Sequence, residues 1–181
     1  MVDIRDARVE DAVDIARIHI DMWRIAYGEI LDQEFLRQLK YSRSRLQWQA
    51  MIERRSGVLL AAESHQDGIV GFAAGGAERS REFDVDGELM ALYVLASHHR
   101  LGIGRRLVHE MARRFVETGR TGMAVWVLAD NPARQFYAHL GGRRVKRQNL
   151  RLGERSYAEV AYVWKDLDRL IRETTDARHG R

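Results

Sequence analysis

The chain has 181 residues, 45% of them hydrophobic, and 30 basic against 26 acidic residues give a formal net charge of +4. That length suits one domain around one sizeable core. With no cysteine present, a disulfide framework, a thiolate metal site and a thiol nucleophile are all excluded.

Residues 2–8 alternate and predict a short opening strand. Residues 11–26 carry Ala12, Ile15, Ala16, Ile18, Ile20, Met22 and Trp23 at helical spacing and stop near Gly28. Helices are expected at 32–39, with Asp32 as cap, and at 42–54, with Leu46, Ala50 and Met51 on one side. Residues 58–63 and 69–77 read as two strands of a hairpin turning at Gln66-Asp67-Gly68. After a polar loop, the apolar run 88–95 predicts a strand buried on both faces. A glycine-bearing loop leads into a helix over 104–117, and 123–128 predicts a second buried strand. Asp130/Asn131 is expected to cap a helix with Pro132, the only proline, at its first position. That helix ends at Gly141-Gly142. Strands follow at 143–147 and 157–164, then a helical turn at 166–172 and a frayed tail over 173–181. The order predicts one α/β domain, residues 1–172, with a mixed sheet.

The N-terminus is charged from Asp3 and has no signal-peptide stretch, and no apolar run approaches the roughly 20 residues of a membrane span. A cytoplasmic protein without membrane contact is expected. The positive balance favours an anionic, phosphorylated ligand or reflects an arginine-rich proteome. Arginines interleaved with acids, without an aromatic–basic motif, do not suggest a nucleic-acid partner.

Chemistry concentrates in 88–115. A strand ends at Val94-Leu95, a loop runs through His98-His99-Arg100-Leu101, and Gly102-Ile103-Gly104 opens a helix with the apolar stripe Leu107, Val108, Met111 and Phe115. Such an opening turns backbone N–H groups toward an anion, and the helix dipole adds to it; a diphosphate fits. A nucleotide P-loop would need Lys-Ser/Thr where Arg105-Arg106 stand, and a dinucleotide fingerprint would need glycine in place of Leu107.

His99-Arg100-Leu101-Gly102-Ile103-Gly104 resembles the Gln/Arg-x-x-Gly-x-Gly/Ala hallmark of the GNAT superfamily of N-acetyltransferases, with His99 departing at the first position and Ala96 standing where many members have proline. Asn131, followed by Phe136-Tyr137 near the end of its helix, resembles the family's second cofactor element. The likeness covers roughly 58–165, and the first 57 residues fit the variable acceptor side more loosely. It implies a twisted sheet of about seven strands with helices on both faces, and transfer of an acetyl group from acetyl-CoA to a small-molecule or protein amine without a metal. A homodimer is compatible with the family.

The resemblance also assigns roles. Amides of Arg100, Leu101, Gly102, Ile103, Gly104 and Arg105 would hold the diphosphate, and the backbone of Leu92, Tyr93 and Val94 would pair with the pantetheine arm. The Val94 amide would polarise the thioester carbonyl. Tyr137 would assist the leaving thiolate, the alternative being a packed tyrosine. Asn131 would bind pantetheine, cap a helix, or both. Glu88 is the candidate base for an ammonium, or else an exposed residue at the strand start. Trp23 and Tyr27, with Trp48, would line the acceptor cleft or belong to the core. His98 and His99 lack a third ligand at metal-binding spacing. Arg143–Arg147 is a solvated strand face or a contact for the adenosine 3′-phosphate or an acidic substrate. The rival functions are a non-catalytic acyl-CoA-binding sensor and a nucleic-acid-associated protein.

Overall fold

The computed structural model describes residues 1–176. Its elements in chain order are β1 (Val2–Asp6), α1 (Ala12–Tyr27), α2 (Gln33–Gln38), α3 (Tyr41–Arg54), β2 (Val58–Ser64), β3 (Gly68–Ala77), β4 (Gly87–Val94), α4 (Ile103–Glu117), β5 (Met123–Leu128), α5 (Arg134–His139), β6 (Arg143–Leu152), β7 (Arg155–Trp164) and α6 (Leu167–Asp176). The seven strands form one mixed sheet in the order β1-β2-β3-β4-β5-β7-β6. β4 and β5 run parallel, whereas β1/β2, β5/β7 and β6/β7 are antiparallel. Among the described residues no helix is long and apolar enough to cross a membrane.

The chain divides into two compact units. The first comprises Met1–Ala74 and Ala91–Leu107. In it α1 presents Ile15, Ile18 and Met22 to Leu59 and Ala61 of β2 and to Ile69, Phe72 and Ala74 of β3. Burying one such side chain contributes about 1.5–3 kcal/mol. Arg5 of β1 fixes where α1 begins: its guanidinium bonds both oxygens of buried Asp11 (2.7 and 3.0 Å) and reaches Glu63 of β2 at 2.6 Å. Asp32 caps α2, as expected, by accepting the Glu34 N–H at 2.8 Å.

The second unit comprises Gly75–Met90 and the chain from Val108 onward. Leu89, Met111, Phe115, Met123, Leu167 and Leu170 are buried in it. The whole expected stripe of α4 is buried.

Several boundaries differ from expectation, each for a local reason. β4 is buried only at Gly87–Leu89; Met90 is 38% exposed and 91–94 are half-buried. Its parallel ladder to β5 stops at Leu89–Val125, so apolar composition overstated the cover. Leu46 is 58% exposed, and α3 instead turns Ser44, Trp48, Met51 and Ile52 inward. α5 starts at Arg134, because Arg134 and Gln135 bond back three residues to Asn131 and Pro132 in tight turns. β6 extends to Leu152 past a bulge between Arg144 and Lys146. α6 continues to Asp176, beyond the expected helical turn, and 177–181 of the expected tail lie outside the described residues.

Candidate active site

In the first unit, Leu92, Tyr93 and Val94 form the end of β4. Gly71 of β3 lies so close to them that an added Cβ would meet Tyr93 O at 2.8 Å and Val94 Cγ2 at 3.1 Å. The following backbone is tied down at once: Leu95 N–H donates to Val70 O at 2.8 Å, and His99 Nε2 donates to Val94 O at 2.9 Å. His99, the departure from the family hexad, therefore clasps the loop to the strand end. A tight turn at Ala96–His98 follows, with His98 bonded to Asp67 at 3.2 Å.

The loop then turns twice through the left-handed region, at Arg100 (φ 62°) and Gly102 (φ 76°). A side chain other than glycine is disfavoured there, although an added Cβ at Gly102 would meet no atom within 4 Å. Arg106 N–H donates to Gly102 O at 3.0 Å, so the amides of Ile103, Gly104 and Arg105 precede the helical ladder. The Arg106 guanidinium bonds Val2 O at 2.8 Å and anchors this first turn of α4 to β1. Arg100 and Leu101 are exposed. The expected diphosphate segment thus has three helix-opening amides, an open glycine and the positive end of a 15-residue helix.

The same unit holds an aromatic cluster around His19 of α1. Its ring lies 5.7 Å from Trp23, 5.3 Å from Trp48, 6.2 Å from Phe72 and 5.7 Å from Tyr93. Trp23 also meets Tyr27 at 5.2 Å and Phe35 at 6.1 Å. Tyr27 is buried, whereas Trp23 and Trp48 are half-buried. Burial lowers the His19 pKa to about 4, which leaves the imidazole neutral at pH 7.

In the second unit Glu88 is 3% exposed, not an exposed residue at a strand start. Arg79 holds it through its backbone N–H and Nε on Oε2 (3.2 and 2.9 Å) and Nη2 on Oε1 (2.6 Å). The Glu88 carboxylate in turn raises the Arg79 pKa above its ordinary value. Glu159 of β7 is also buried and accepts from Gln148 at 2.8 Å.

Tyr137 on α5 is 7% exposed, with its ring against Phe136 (5.4 Å), Tyr162 (6.3 Å) and Trp164 (6.3 Å). Asn131 is buried, and its Oδ1 accepts the Ala133 N–H at 2.8 Å, so it does cap the turn that opens α5. In the basic run, Lys146 pairs with Glu82 at 2.6 Å, while Arg143, Arg144, Val145 and Arg147 are exposed. Among the described residues no group of three His, Asp or Glu side chains is placed to hold a metal.

Sequence reading missed His19, Ser44 and Arg79. His19 stands one helical turn before Trp23 and two before Tyr27, a spacing that marks one face of α1. Arg79 carries no pattern; only the fold brings its loop back over Glu88.

Residues 70–152 match the family described as FR47-like protein. An uncharacterized N-acetyltransferase of Bacillus subtilis, YuaI, is 35% identical over 170 residues, which covers 94% of this chain and 96% of the relative. Among solved structures, yncA of Salmonella typhimurium with its cofactor acetyl-CoA superposes with a TM-score of 0.69 at 20% identity, over 91% of this chain and 94% of the other. The paia N-acetyltransferase of Thermoplasma acidophilum in complex with coenzyme A gives 0.67 at 17% identity, over 88% and 98%. A strand–loop–helix that turns at Gly102, the seven-stranded mixed sheet and a relative matched over nearly its whole length lead to one assignment: the chain belongs to the GNAT superfamily of N-acetyltransferases.

Proposed function

We propose that the protein transfers the acetyl group of acetyl-CoA directly to a primary amine, with a small molecule as acceptor. The observation that carries this is the opening of α4, where Gly102 turns left-handed and the amides of Ile103, Gly104 and Arg105 stand outside the helical ladder. The diphosphate binds there, on the amides from Arg100 to Arg105, and the pantetheine arm pairs with the backbone of Leu92, Tyr93 and Val94. Two solved structures of this fold have coenzyme A or acetyl-CoA bound, which supports the choice of ligand. Asn131 adds a polar contact to the arm.

In the reaction the amine nitrogen attacks the thioester carbon and the C–S bond breaks, giving an N-acetyl amine and coenzyme A. The Val94 amide stabilises the carbonyl oxygen as it gains charge. Tyr137 donates a proton or hydrogen bond to the departing thiolate. Glu88 takes a proton from the substrate ammonium through water before the neutral amine attacks, using the lone pair of Oε1 that Arg79 leaves free. The proton that nitrogen sheds on becoming an amide balances the one given to the thiolate. With no cysteine to carry an acyl group, attack within a ternary complex is the consistent route. A cytoplasmic location accords with the cosubstrate.

Calorimetry and thermal shift with acetyl-CoA test this reading, run beside Gly102→Ala and Gly102→Glu. Ligand at a hundredfold excess over Kd stabilises a folded protein by about 2.7 kcal/mol. Both variants carry the cost of a left-handed Cβ, but only glutamate sets a negative charge where the diphosphate belongs. Wild type and Gly102→Ala should bind and Gly102→Glu should not. Absence of binding by wild type would remove the cofactor site and every role built on it.

A further inference from the structure

The hexad leaves its family pattern at His99, where glutamine or arginine is usual, and the departure keeps one chemical feature. All three side chains place an N–H the same number of bonds beyond Cβ: Nε2 of the imidazole, Nε2 of the amide and Nε of the guanidinium. His99 uses that nitrogen, which lies 2.9 Å from Val94 O. A carbonyl only accepts, so Nε2 carries a proton. Nδ1 has no partner among the described residues, and the residue is exposed.

The Val94–Leu95 peptide is therefore held at both ends: His99 bonds its carbonyl, and its N–H, that of Leu95, donates to Val70 O at 2.8 Å. Backbone groups alternate in direction along a strand, so with Leu95 turned toward β3 the N–H and carbonyl of Val94 point away from it. There the carbonyl goes to His99, which leaves the N–H for the thioester role proposed above. A second tie fixes the same loop: His98 lies 3.2 Å from Asp67 in the β2–β3 turn, and Ser97 Oγ lies 2.9 Å from its other ring nitrogen. The left-handed turns at Arg100 and Gly102 follow directly.

We infer that His99 is a positioning residue for acetyl transfer: by holding the Val94 carbonyl it sets the distance between the strand end, which takes the pantetheine arm and thioester, and the helix opening, which takes the diphosphate. The inference rests on the acetyltransferase reading above. It gives the first position of the hexad a chemical requirement, a side-chain donor of that reach. Asparagine carries an amide one bond nearer the backbone and falls short of Val94 O, and leucine fills the space without a donor. Coenzyme A spans both ends of the segment, so a lost clasp lowers its affinity.

The test compares wild type with His99→Gln, His99→Asn and His99→Leu in calorimetry with acetyl-CoA and in thermal unfolding. His99→Gln should keep Kd within about twofold of wild type, whereas His99→Asn and His99→Leu should raise it about tenfold, the loss of one hydrogen bond. Equal affinities in all four proteins, with only the melting temperature lowered, would make the clasp purely structural and overturn the inference. A loss in His99→Gln as large as in His99→Leu would overturn it as well. The tautomer is read on wild type, whatever the variants do: at about pH 8, above the ordinary histidine range, ¹⁵N shifts should show Nε2 protonated and Nδ1 bare. The opposite tautomer would overturn the inference while the transferase reading stands. Failure of wild type to bind acetyl-CoA would remove both.

Discussion

Among the described residues Arg79 supplies all three hydrogen bonds to the Glu88 carboxylate, one from its backbone and two from its guanidinium. A carboxylate offers about four lone-pair sites, so this single residue fills three and leaves one on Oε1. The pairing explains how a glutamate can lie 3% exposed at the start of a central strand. It also divides two roles that the sequence left open, since a structural partner and a proton acceptor respond differently to substitution.

Glu88→Gln and Arg79→Gln are therefore compared in both stability and rate. Losing the bidentate contact costs about 1–2 kcal/mol in either variant, less than for a fully buried pair because the Arg79 side chain is 68% exposed and water screens it. If Glu88 accepts the ammonium proton, Glu88→Gln lowers kcat by about a hundredfold. Arg79→Gln keeps the acceptor oxygen and stays within about tenfold of wild type. Equal rates for both variants and wild type, measured on folded protein, would assign Glu88 to structure alone.

His19 gives the protein a pH window. Its folded pKa of about 4 lies below the ordinary 6.5, because burial disfavours the imidazolium. Between those values the unfolded chain binds a proton that the folded chain does not, so stability is full above about pH 6.5 and falls as the pH drops toward 4. The loss amounts to about 3 kcal/mol over the window. Asp11, whose carboxyl is pushed up by burial but held below its ordinary range by Arg5 and the Arg8 amide, contributes its own loss only at lower pH. Chemical denaturation of wild type between pH 7 and pH 4.5 should show the decline, and His19→Gln should flatten it.

What the sequence made legible are features set by the conformational needs of single residues. Gly102 at a helix start, the stripe Leu107, Val108, Met111 and Phe115, and the Asp32 cap each depend on neighbours a few positions away. The half-exposed end of β4 was hidden, because apolar residues do not reveal where a ladder to another strand stops. Leu46 was misplaced for a similar reason: α3 turns its polar Ser44 inward to meet His19, which no hydrophobic pattern anticipates. The Arg79–Glu88 pair joins a loop to a strand across a turn of chain, and nothing in either residue's neighbourhood announces the other. The loop and helix start around Gly102 were therefore readable almost residue by residue, whereas the surroundings of His19 and Glu88 had to come from packing.

Gly71→Ala tests how closely β3 sets the strand end. Its new Cβ would lie 2.8 Å from Tyr93 O and 3.1 Å from Val94 Cγ2, and the first of these is backbone with little room to yield. Overpacking of this kind costs about 1–3 kcal/mol. The displacement falls on Tyr93 and Val94, so acetyl-CoA affinity should drop about tenfold as well, read by calorimetry on protein whose circular dichroism is unchanged. Loss of stability with affinity intact would mean that the pantetheine arm does not depend on this stretch of backbone.

Tyr137→Phe isolates the phenol from its packing. The ring sits 7% exposed against Phe136, Tyr162 and Trp164, and phenylalanine retains those contacts. Fold and acetyl-CoA affinity should therefore stay near wild type. On the proposed role, what disappears is the proton or hydrogen bond offered to the leaving thiolate, an interaction that grows as the C–S bond breaks and so acts on kcat more than on KM. A fall in kcat of about a hundredfold is expected for a lost general acid. It should shrink with an acyl donor whose thiol is more acidic, because such a leaving group needs less help. An unchanged kcat at saturating amine would reduce Tyr137 to a packed core residue, and thiolate departure would then depend on solvent.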